Sequence, residues 1–186
     1  MNANESLEER LLMVEMHKDV LERIDTAIKK KHSIEACWLC YSCFESRITR
    51  SLEKISVACS GRRCFENTRV GIVTKIDCLK RLSRHHYFAT EAFDRKLLDD
   101  IKEWCGNRNK LVHALITLNN YTGMDTRFLK LAKEGQKLVQ QLYAQTTEFR
   151  NHYYEIASTP PFPQDVISKC SLFLRTLLLQ QRSASI

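Results

Sequence analysis

The feature that most constrains this chain is where it lacks proline. None occurs among the first 159 residues, and all three, Pro160, Pro161 and Pro163, fall in one short break. Only five glycines occur in 186 residues. Proline and glycine are the residues that interrupt helices, so their scarcity leaves long helices intact. Apolar residues recur at three- and four-residue steps through the same stretch, whereas alternating strand patterns are scarce. The expected fold is all-α, an antiparallel up-and-down bundle of about five to six helices.

The helices are expected over residues 5–31, 34–57, 70–84, from Thr90 or Glu91 to about Leu115, 125–156 and 165–180. Ser33 is a plausible N-cap for the second. Gly106-Asn107 weakens the fourth. The whole reads as one domain, with residues 1–159 forming the bundle and 160–186 a C-terminal helical extension packed on it. On the second helix the inward stripe is read as Trp38, Tyr41, Glu45, Ile48, Leu52 and Ile55. Glu45 is the odd member. Either it is buried with a partner, because an unpaired buried carboxylate is costly, or it sits at an edge and reaches water.

The formal net charge is +7. Arg62, Arg63, Arg69, Lys75, Lys80, Arg81 and Arg84 lie in one stretch, and Lys29, Lys30 and Lys31 form a second cluster. The first stretch is a candidate for following an RNA backbone, but a solvated helix face and a loop is the simpler and preferred reading. No apolar run approaches membrane-spanning length, and the N-terminus is polar and acidic. A soluble, cytoplasmic protein with no membrane contact is expected.

Eight cysteines raise the question of zinc, with Cys37, Cys40, Cys59 and Cys64 as the conceivable ligands. Cys37, Cys40 and Cys43 stand in a segment of helical character without the tight turn on which zinc knuckles place their close pair. Small buried apolar side chains in a reducing compartment are the preferred reading. No metal and no cofactor is expected.

The chemistry concentrates in Arg108-Asn109-Lys110-Leu111-Val112-His113. A permanent cation, an amide and an imidazole there suit attack on a phosphodiester. His113 is the natural acid/base, because the imidazole pKa lies near neutrality. Arg108 suits the charge growing on phosphoryl oxygens. Asn109 would orient His113 or the phosphate, and Glu45 would hold Arg108 or the imidazole. Asn109 and His113, four apart, share a helix face. Arg108 and His113, five apart, are separated by about 140°. Arg108 also continues the apolar stripe of Ile101 and Trp104, so it needs an anion, a partner chain or a water-filled cleft.

The segment Trp104-Cys105-Gly106-Asn107-Arg108-Asn109-Lys110-Leu111-Val112-His113-Ala114-Leu115 resembles the signature of HEPN domains: an Arg, a polar residue, a short mostly apolar spacer and a His. The resemblance implies a helical bundle with the signature on a late core helix. It implies metal-independent RNA cleavage that leaves a 2′,3′-cyclic phosphate. It also implies a homodimer with the Arg108–His113 motif at the interface, and in toxin members a cognate antitoxin. One departure matters. Many such toxins carry a tyrosine two residues after the histidine, where this chain has Leu115. That puts control by modification of that tyrosine in doubt. The alternative is a catalytically inactive module that binds RNA or a protein partner.

Overall fold

The computed structural model describes residues 7–60, 70–85, 93–117 and 123–157. Among them the protein is all-helical: α1 (Leu7–Lys29), α2 (Ser33–Ser60), α3 (Ile72–His85), α4 (Arg95–Thr117) and α5 (Met124–Ala157). These follow the expected helices to within a few residues. The helix expected over 165–180, and with it the 160–186 extension, lies outside the described residues.

Helix ends are set by local bonding. α1 closes on a Schellman turn: the His32 N–H donates to the Ala27 carbonyl at 2.8 Å and the Lys31 N–H to the Ile28 carbonyl at 3.1 Å. Lys31 occupies the left-handed position of that turn, with φ of 61°. The first bond of α2 closes on the His32 carbonyl, which Ala36 reaches at 3.0 Å. The cap position therefore belongs to His32, one residue before Ser33. α4 runs unbroken through Gly106. One glycine costs a helix only about 1 kcal/mol, less than its buried stripe of Leu97, Leu98, Ile101 and Trp104 returns.

The chain divides into two compact units, Met1–Glu45 with Arg95–Ala144, and Ser46–Asp94 with Gln145–Ile186. In the first unit α2 opposes α4: Trp38 lies beside Arg108 and Phe44 beside Trp104. α2 runs in the same direction as α5, since Cys37 meets Phe128 and Cys40 meets Ala132. With α1 turning back tightly into α2, the helices of this unit alternate in direction. Ile24, Ala36, Cys40, Phe44, Leu98, Ile101 and Phe128 form its core.

In the second unit, α2 contributes Ile48, Leu52 and Ile55, and α3 contributes Ile72, Ile76 and Leu79. Phe93 meets Phe149 of α5 with ring centroids 5.0 Å apart.

The inward stripe of α2 differs from expectation over its first half. Cys37, Cys40 and Phe44 are buried, while Trp38 is 51% exposed. The cysteines are inside because α5 comes close: the Cys37 thiol donates to the Phe128 carbonyl at 3.5 Å and the Cys40 thiol to the Ala132 carbonyl at 4.0 Å. An indole there would hold the two backbones apart.

Candidate functional site

α4 carries its buried stripe as far as Arg108, which is 8% exposed. Beyond it Leu111, Val112 and Leu115 are only half-buried. Arg108 is thus the last inward residue of the helix, at the register that Ile101 and Trp104 dictate.

Among the described residues its guanidinium is packed chiefly against aromatic rings. The guanidinium carbon lies 4.0 Å from the centre of the Trp38 ring and 4.8 Å from that of Tyr41. The two rings, three residues apart on α2, contact each other edge-on at 6.4 Å. Nη1 donates to the Asn109 amide oxygen at 3.0 Å. Nε and Nη2 are buried without an acceptor.

The energetics leave Arg108 undercompensated. A desolvated cation–π contact returns about 2 kcal/mol. Each buried donor left unmet costs about 1–3 kcal/mol, and more when it belongs to a charged group. Two rings and one amide oxygen fall short of what a carboxylate or phosphate would supply.

The charge is felt around it. Burial pushes the Cys105 thiol up to about 12, with Arg108 opposing and Glu45 reinforcing the rise. Burial likewise pushes Cys37 up to about 12 against the pull of Arg108. Tyr41 is raised by burial first, then by Glu45 and Cys105, with Arg108 again opposing. Glu45, half-buried on α2, therefore belongs to the electrostatic neighbourhood of this cluster.

The other motif residues point elsewhere. Asn109 and His113 are both exposed. Asn109 turns its amide oxygen to Arg108. The His113 carbonyl accepts a bond from the Thr117 hydroxyl at 2.9 Å, while its imidazole faces solvent. Arg108 and Asn109 are thus brought together, and His113 lies on a different face of α4 from Arg108.

The described cations of the basic stretch differ in burial. Lys75 is 5% exposed and cannot track a phosphate backbone. Its spacing from Ile72, Ile76 and Leu79 puts it on the inner face of α3. Lys80 is half-buried and Arg81 exposed. Arg62, Arg63 and Arg69 lie outside the described residues, as does the Arg84 side chain.

Cys37, Cys40, Cys78 and Cys105 are buried free thiols. Among the described residues no group of three His, Cys, Asp or Glu side chains could hold a metal ion. Cys59 and Cys64 of the conceivable zinc set have no described side chains. No helix of the described residues is long and apolar enough to cross a membrane.

Sequence reasoning missed Trp38 and Tyr41 as members of the site. The available signal was an arginine on an apolar stripe together with an aromatic pair on another helix at three-residue spacing.

Comparison with protein-family models, with curated proteins and with solved structures gave no match.

Proposed function

We propose that this protein is a metal-independent endoribonuclease of HEPN type, acting as a toxin or defence effector in the cytoplasm. The observation that carries the reading is Arg108: a buried guanidinium with unmet donors, steadied by Asn109, one and a half turns before an exposed imidazole. A base removes the proton from an RNA 2′-hydroxyl, and that oxygen attacks the adjacent phosphorus. The P–O5′ bond breaks, an acid protonates the leaving oxygen, and the products are a 2′,3′-cyclic phosphate and a 5′-hydroxyl. His113 serves as acid/base, Arg108 holds charge on the phosphoryl oxygens, and Asn109 positions the guanidinium. Glu45 tunes the field at Arg108.

His113 and Arg108 of one chain do not share a face, so the working site is assembled from two copies. In a two-copy site, Arg108 of one subunit works with His113 of the other. A toxin of this kind has a cognate antitoxin.

A second reading is favoured by the same divergence of Arg108 and His113: a non-catalytic helical module that binds RNA or a protein partner. Incubation with total RNA in EDTA separates the two. Fragments ending in cyclic phosphates and 5′-hydroxyls are expected of the enzyme. Intact RNA from folded protein on several substrates would leave the binding module.

A further inference from the structure

Arg108 holds a two-donor recognition edge. Nε–H and one N–H of Nη2 point the same way along one side of a guanidinium plane, and these are the two atoms without acceptors. That edge matches two oxygens on one phosphorus or one carboxyl carbon. The third nitrogen, Nη1, is already used by Asn109, which fixes the plane.

The edge is buried, and aromatic rings lie over the guanidinium that carries it. Tyr41 is half-buried beside Cys40 and Phe44, which anchor α2 in the core. Trp38 is different. It covers the guanidinium at 4.0 Å, yet half its surface is exposed, and its described ring contacts are Arg108 and the edge of Tyr41. Half-exposed, it lies at the rim of the core rather than within it.

We propose that Trp38 is a displaceable cover on a two-oxygen anion site formed by the Nε/Nη2 edge of Arg108. The ligand that displaces it is single-stranded RNA: a phosphodiester takes the edge and a neighbouring base stacks on the freed indole. The exchange replaces one cation–π contact with two charge-assisted hydrogen bonds, the stronger set. Asn109, which follows Arg108 on α4 and is exposed, carries an amide donor of the kind a phosphate backbone accepts from. Base stacking on an indole adds affinity that an acidic peptide cannot match. The proposal rests on the RNA-directed reading for its ligand, but not on catalysis.

The test uses a short 2′-O-methyl oligoribonucleotide, which cannot be cleaved by internal attack, and reads tryptophan fluorescence. Trp104 is 3% exposed and serves as the unresponsive reference. The wild type is expected to change emission on binding, and W38F to bind with little change. R108K, which keeps the charge and loses the fork, should weaken binding by about tenfold or more. An abasic phosphodiester of the same length should bind W38A at least as tightly as wild type, because the cover is gone.

Four results would each overturn the proposal: binding without any emission change, unaltered affinity of R108K, weaker abasic binding by folded W38A, or equal competition by polyglutamate. If W38A does not fold, W38F and R108K still decide. RNA binding with no cleavage of ordinary RNA would remove the enzyme reading and leave this one standing.

Discussion

Trp104 lies against the bare backbone of Gly135. Its indole N–H donates to the Leu131 carbonyl at 2.8 Å, and its ring atoms stand 2.8–2.9 Å from where a Gly135 β-carbon would be. The absence of a side chain is what lets α4 approach α5 here, and Phe44 closes the other side of the indole edge-on at 5.1 Å. Gly135→Ala should therefore destabilise by about 1–3 kcal/mol, as overpacked cores do. Gly106 has nothing within 4 Å of its added β-carbon. Gly106→Ala should stabilise α4 by about 0.5–1 kcal/mol. Thermal melts of the two variants should move in opposite directions; equal shifts would refute the assignment of Gly135 to a contact.

Lys31 holds a left-handed conformation that suits glycine, with φ of 61°, and it is exposed. The conformation costs an L-residue about 1–2 kcal/mol, partly offset by the greater freedom glycine gives the unfolded chain. Lys31→Gly should raise stability by about 0.5–1 kcal/mol, read as a higher urea midpoint at unchanged slope.

Stability should fall in alkali. Burial pushes Cys37 and Cys105 up to about 12 and Cys78 up to about 11, from an ordinary value of 9.0. These thiols are neutral when protonated, so the folded state keeps protons that the unfolded state releases. The stabilisation is complete below pH 9 and is lost as pH rises from there toward 12. The urea midpoint should decline across that window. The native thiols should also react slowly with alkylating reagents at pH 8, and rapid labelling of Cys105 in folded protein would contradict its burial.

Much of this was readable in the sequence, and the failures have physical causes. The helices followed from where proline and glycine stand. The burial of Arg108 followed from its register with Ile101 and Trp104. Charge composition groups Lys75 with the basic stretch, whereas its spacing from Ile72 and Leu79 puts it inside. Helical spacing with Tyr41, Ile48 and Leu52 puts Trp38 on the inward stripe, but close approach of α5 selects the small Cys37 and Cys40 instead. The rings that receive Arg108 were not legible at all. They stand about seventy positions earlier on another helix, and only tertiary packing brings them to it.

A two-copy site makes a prediction about mixtures. Arg108→Ala and His113→Ala should each be inactive alone. After exchange in equal amounts, half the dimers are mixed and half their sites are whole, so about a quarter of wild-type activity should return. No recovery from dimers shown to have exchanged would place both residues in one chain's site or in none.

What decides the proposed function is whether the motif on α4 cleaves RNA with His113 as a reacting group and without a metal. The direct measurement is a side-by-side incubation of wild type and His113→Ala with the same RNA in EDTA, after matching their helicity and oligomeric state. The account predicts cyclic-phosphate ends from the wild type and at least a hundredfold slower cleavage by the variant, within the usual contribution of a positioned acid/base of about 10²–10⁴. Equal cleavage by the two proteins, or none by either, would contradict it.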